Sequence, residues 1–139
     1  MLAGHNRERA RFRLPPLRWD PALAASAAAY GPTLARLGAL RHSPRASRPG
    51  QSENLWMGTR SAFTPAQMVG SWLSERRYFR PGIFPNVSTT GNWYDVGHYT
   101  TMIWPTATAL GCTLHRGGRW DFLICRYAPR TNIDGKWVG

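Results

Sequence analysis

Two histidines and two glutamates stand beside apolar or aromatic residues: His42 in LRHSP, Glu53 in GQSENLW, Glu75 in WLSERRYF and His98 in GHYTTMIW. Neutral imidazoles bind a borderline divalent metal such as zinc, with waters or carboxylates completing the shell. Carboxylates beside such an ion orient a metal-bound water or take its proton. On paper these groups make a hydrolytic site with Glu53 and Glu75 as catalytic candidates. They can equally form a half-buried polar network that staples loops to a core. Glu75 can also be an ion-pair partner of the flanking Arg76 and Arg77. Histidine is a poor choice for pure packing, so His98 is either a core histidine held by one hydrogen bond or a residue facing a cleft. Spacing alone leaves these readings open, because long connections separate the four segments.

The elements that must position them are partly legible. Gly4 to Arg13 reads as a short, very basic helix ended by Pro15-Pro16. Asp20-Pro21 is an N-cap with proline at the first helical position, and Leu23, Ala27, Tyr30, Leu34 and Leu37 follow at helical spacing. Pro32 is expected to kink or interrupt that helix. Arg41 to Arg60, rich in Ser, Pro, Gly and Arg, reads as a long connection carrying His42 and Glu53. Thr64-Pro65-Ala66-Gln67 is a capping box launching a helix through about Phe79. Met68, Trp72, Glu75 and Phe79 share one face of it.

Pro81 to Asp95 reads as a loop with Phe84, Trp93 and Tyr94 exposed near its tip. GHYTTMIW scores as strand on its β-branched and aromatic content. Leu110 to Leu114 and Trp120 to Tyr127 read as strands around a Gly117-Gly118 turn signal. A two-residue loop at Gly118-Arg119 would bring Cys112 and Cys125 face to face, whereas a loop at Gly117-Gly118 would offset them by two. A bridge between them is feasible and depends on register.

The bulk composition bounds the class. A chain of 139 residues with 42% hydrophobic and 12% aromatic content fits one packed domain, residues 1–139. Lys+Arg 18 against Asp+Glu 7 gives a formal charge of +11, and Lys136 is the only lysine. Such a surface attracts polyanions, and charge alone does not choose among nucleic acid, acidic lipid and acidic envelope polymers. There is no internal repeat, phosphate-binding glycine loop, zinc-finger spacing or Gly-x-Ser-x-Gly motif, and no recognition motif for nucleic acid.

In order along nearly the whole chain, HNRERARFRLPPLRWDPAL, LRHSP, GQSENLW, WLSERRYF, GHYTTMIW and FLICRYAPRTNI resemble the signature segments of the CAP superfamily of cysteine-rich secretory, antigen 5 and pathogenesis-related proteins (the SCP domain). The resemblance implies an α+β fold, a three-layer α-β-α sandwich with a three-stranded antiparallel sheet between helices. Carried over residue by residue, it places a cleft tetrad on His42, Glu53, Glu75 and His98, with His42 and His98 as metal ligands, and it turns GHYTTMIW into a short helix. Thr101 stands where the family usually has Gln or Ala, and Thr131 replaces the usual Gly of a Pro-x-Gly-Asn ending. With only two cysteines the chain looks like a minimal member, as in bacteria.

The resemblance also implies a secreted or periplasmic protein with a Cys112–Cys125 disulfide formed after export. Since MLAGHNRERARFRL lacks the apolar stretch of a secretory signal, export presumes a leader upstream. The expectation is a monomeric binding module whose cleft holds zinc or another divalent metal. Its partner is expected to be a lipid, a sterol or an anionic envelope component, with Phe84, Trp93 and Tyr94 as a lipid-contact loop for peripheral membrane contact. No specific nucleic-acid partner is expected. A metal-dependent hydrolase using the same tetrad is the alternative.

Overall fold

A computed structural model describes residues 1–139. Helix α1 spans Leu2–Ala10, strand β1 is the pair Arg18–Trp19, and α2 runs Pro21–Leu37. Asp20 caps α2 by accepting the Ala22 amide at 2.9 Å. The helix closes on Gly38, whose φ of 61° suits a residue without Cβ. Pro32 lies inside α2 and does not interrupt it. Leu23, Ala27, Gly31 and Leu34 bury one continuous stripe, and that packing offsets the lost backbone bond.

The Arg41 to Arg60 stretch is the main correction. Its second half is strand β2, Ser52–Thr59, paired antiparallel with β5, Trp120–Ala128, along its whole length. Its residues carry little local β preference, so a partner nearly seventy positions away makes the strand. Strands β4, Ala109–Gly117, and β5 form the expected hairpin, joined through Gly118 (φ 65°) and Arg119, in the register that sets Cys112 opposite Cys125. The two cysteines are bridged. The sheet order is β1-β4-β5-β2, with β1 parallel to β4. The sheet is thus mixed and four-stranded, three antiparallel strands extended by a two-residue parallel edge, where a plain three-stranded antiparallel sheet was expected.

The two-residue period of β5 divides the core. Phe122 and Ile124 pack with Leu55 against Ala27 and Leu34 of α2. Leu123, Cys125 and Tyr127 face the larger cluster of Met68, Trp72, Tyr99 and Trp104. A Cβ at Gly111 would lie 2.7 Å from the Asp20 carbonyl oxygen, so glycine is what lets α2 lie against β4. Helix α3, Pro65–Leu73, starts on the predicted capping box, with Thr64 and Gln67 bonded reciprocally at 3.1 and 2.8 Å. It tightens into a 3-10 turn over Ser74–Tyr78, so Glu75 sits on that turn. Strand β3, Gly82–Ile83, pairs with β6, Trp137–Val138, in a separate ribbon. Between them a 3-10 turn, Trp93–Val96, leads into helix α4, Gly97–Met102. GHYTTMIW is therefore helical at its start, against its local strand preference.

Candidate functional site

The cleft forms where the β2 edge of the sheet begins. Residues 42–48 lie on one side, α4 on the other, and the chain after β5 closes the end. It encloses about 490 Å³ and is lined by His42, Glu53 and His98, with Glu75 standing behind His98. The strand period sends neighbouring residues to opposite faces. Glu53 meets Arg126 on the α2 face, where Arg126 also donates to Ser26 at 2.7 Å. Asn54 points the other way and donates to the His98 carbonyl at 3.1 Å.

Each imidazole is held by one carboxylate. His42 Nδ1 lies 2.9 Å from Glu53 Oε1, and His98 Nδ1 lies 2.7 Å from Glu75 Oε2. Ionised carboxylates only accept, so each Nδ1 carries a proton, and in the neutral imidazole Nε2 is left with its lone pair. The shared helix face expected for Trp72 and Glu75 works on His98 from two sides. The Trp72 ring stacks on the imidazole at 5.9 Å between centroids and 11° between planes. The second Glu75 oxygen accepts the Tyr99 amide at 2.9 Å.

Glu53 is buried and saturated. It accepts from the Ser43 amide at 2.8 Å, the Ser43 hydroxyl at 2.9 Å and Arg126 Nε at 3.2 Å, with Arg126 Nη2 at 3.1 Å and Arg48 at 3.8 Å as ion-pair contacts. Burial alone would raise its pKa. The hydrogen bonds from His42 and Ser43 and the charge of Arg48 outweigh burial and hold the carboxyl below its ordinary value. Arg126 occupies the cross-strand position directly opposite Glu53. Sequence reading found both glutamates and both histidines but passed over Ser43, Arg48 and Arg126. The only local trace of Arg126 was a charge inside an apolar strand.

A second network lies beneath. His5 is fully buried, with Nδ1 2.8 Å from the Met1 carbonyl and Nε2 2.7 Å from the Tyr127 hydroxyl. Asn54 donates to that hydroxyl at 3.2 Å as well as to the His98 carbonyl. The core is thereby tied to the cleft backbone. Burial drives the His5 pKa down to about 4 and the Tyr127 hydroxyl upward. The two departures from the family pattern, Thr101 and Thr131, bond each other through their hydroxyls at 2.8 Å on the cleft wall.

The aromatic loop differs from expectation. Phe84 is buried at 2% exposure, Trp93 is half-buried, and Tyr94 is 72% exposed. Phe84 turns inward because it fills the space against Trp104 and Trp93, whose centroids lie 5.7 and 5.2 Å away. Thus only Tyr94 of the three presents most of its surface to solvent. No three His, Cys, Asp or Glu side chains converge on one point. The cleft offers a cation the imidazoles of His42 and His98, which both line it, with water to complete the shell. That donor set fits a borderline divalent ion in an open shell.

The cysteine-rich secretory protein family matches residues 2–127. The chain is 32% identical to a PR-1 type pathogenesis-related protein of Sambucus nigra over 134 residues, covering 95% of this chain and 75% of that one. It is 35% identical to pathogenesis-related leaf protein 4 of Solanum lycopersicum over 139 residues, covering 99% and 78%. Among solved structures, NaASP2 with Zn2+ superposes with a TM-score of 0.80 at 23% identity, covering 98% of this chain and 80% of that one. BmVAL-1 superposes at 0.73 and 23% identity, covering 98% and 80%. The match by sequence and the cleft at the sheet edge agree: the chain belongs to the cysteine-rich secretory protein (CAP) family.

Proposed function

We propose that this chain is an exported binding module whose cleft holds a divalent metal through Nε2 of His42 and His98. One observation carries the reading: both Nδ1 atoms are committed to carboxylates, which leaves both Nε2 lone pairs for a ligand. A structural relative described with Zn2+ supports zinc as the ion to test. The disulfide and the family's secretory members support export.

Binding is favoured over hydrolysis because Glu53 is saturated by donors and Glu75 stands behind His98, outside the cleft lining. Both Glu53 oxygens are saturated by donors, and both Glu75 oxygens are occupied by His98 and the Tyr99 amide. A bound ion would polarise a coordinated ligand or water, while the two glutamates fix the tautomer and aim of the imidazoles. The mostly polar lining, including Arg45, Arg48 and Arg130, favours an anionic envelope component over a sterol or acyl chain as partner. Zinc titration by calorimetry tests the metal: the unaltered chain should bind, and His42→Ala and His98→Ala should each abolish the heat. Undiminished zinc binding in both variants would refute the site.

A further inference from the structure

The cleft carries more positive charge than its acids can absorb. Arg48 is spent on Glu53, the Gln51 carbonyl and Ser43. Arg45 and Arg130 line the same cleft, are exposed, and lie beyond ion-pair distance of every carboxylate, the cleft residue Asp134 included. The crowding registers at Arg48, whose pKa is lowered first by burial and then, against the opposing pull of Glu53, by the charges of Arg126, Arg45 and Arg130. Guanidinium groups gathered this way repel one another until an anion sits between them, and their planar forks match carboxylate, sulfate or phosphate.

The facing wall supplies a different recognition element. The Tyr94 ring is stacked on Trp93 at 4.1 Å and 22°, and Trp93 is braced by Phe84. Gly97 permits this, since a Cβ there would come within 3.0 Å of the Trp93 ring. Tyr94 is thus a supported aromatic plate at the rim of a polar cleft, able to cover the C–H face of a ring at little entropic cost. His42, His98 and Ser52 line the cleft as well, and imidazole nitrogens and a hydroxyl that accepts the Thr131 amide can still bond sugar hydroxyl groups. The volume of about 490 Å³ falls within the roughly 300–1,000 Å³ typical of small-ligand clefts.

We propose that the cleft binds an acidic saccharide, with its anionic group between Arg45 and Arg130 and a sugar ring against Tyr94. This deepens the reading of the cleft as a ligand site and does not depend on the metal.

Calorimetry at 0.15 M salt, with and without EDTA, tests it using tetragalacturonate, neutral maltotetraose and inorganic phosphate. Tetragalacturonate should bind in both conditions and maltotetraose should not. The exposed pair Arg45→Gln/Arg130→Gln should weaken binding about tenfold or more, as expected for two charge-assisted contacts. Tyr94→Ala should weaken it several-fold, about threefold or more. Arg36→Gln/Arg119→Gln, which removes the same charge at the opposite end of the sheet, should leave it unchanged. Equal losses in the two double variants would overturn the proposal in favour of diffuse attraction. Phosphate binding as tightly as tetragalacturonate, with Tyr94→Ala silent, would reduce the site to an anion hole and refute the saccharide. Binding abolished by EDTA and indifferent to the arginines would refute the clamp while leaving the metal reading intact. Zinc binding with no saccharide binding would refute this proposal alone.

Discussion

Replacing Glu53 by Gln isolates what holds the cleft together. The carboxylate collects the His42 imidazole, the Ser43 amide and hydroxyl, and the Arg126 guanidinium, and Arg126 is itself buried. Glutamine keeps the shape but offers one accepting oxygen, and its amide hydrogens face donors. Arg126 then keeps only the Ser26 and Ser43 hydroxyls as partners. Breaking one side of a buried ion pair costs about 3–5 kcal/mol. At a urea slope of about 1–3 kcal/mol per molar, the midpoint should fall by about 1 M or more, read by tryptophan fluorescence. Adding Arg126→Met should restore a large part of the loss, because the stranded charge goes with it. The folded carboxyl holds its proton less readily than the unfolded one. Its contribution is therefore present above the ordinary Glu range, near about 4.3, and is lost as pH falls through the folded value. The variant should lack that acid limb. A loss under about 1 kcal/mol, or no recovery with Arg126→Met, would refute the reasoning.

Three further outcomes follow from the same coordinates. His5 has a folded pKa of about 4 against about 6.5 unfolded, so its contribution is full above about 6.5 and is lost as pH falls towards 4. The loss should run at about 1.4 kcal/mol per pH unit and total about 3 kcal/mol, and the urea stability of the His5→Gln variant should lack it. Cys112→Ala/Cys125→Ala opens a link with a sequence separation of 13 and should cost about 3 kcal/mol by loop entropy, with no change in the unaltered protein's mass on thiol alkylation. Gly111→Ala forces a methyl group into the α2 backbone near Asp20 and Leu23. It should destabilise by more than about 1–3 kcal/mol, the usual cost of overpacking, and a normal thermal midpoint would contradict the packing.

Local signals accounted for the elements whose causes are local. The Asp20 and Thr64 caps, the Leu23, Ala27 and Leu34 part of the α2 stripe and the shared face of Trp72 and Glu75 need only a few neighbouring residues and appear where their chemistry placed them, while Leu37 of that stripe is exposed. The glycine turn confined Cys112 and Cys125 to two registers, and the Gly118-Arg119 loop is the one adopted. The four candidate site residues were legible by type and by family pattern, and they form two His–Glu pairs, His42 with Glu53 and His98 with Glu75.

What lay outside the sequence depended on distant partners. Ser52–Thr59 becomes a strand because β5 pairs with it, and α4 is a helix although its residues prefer strand, because Tyr99, Thr100 and Met102 are buried on all sides. Phe84 left the expected exposed set once Trp93 and Trp104 enclosed it. The Arg126–Glu53 contact required the β2–β5 register, and the gathering of Arg45, Arg48 and Arg130 required the chain after β5 to return beside residues 42–48. Sequence determined which groups could do chemistry. Only the tertiary structure decided their neighbours, because burial and electrostatics act between residues that the chain separates by dozens of positions.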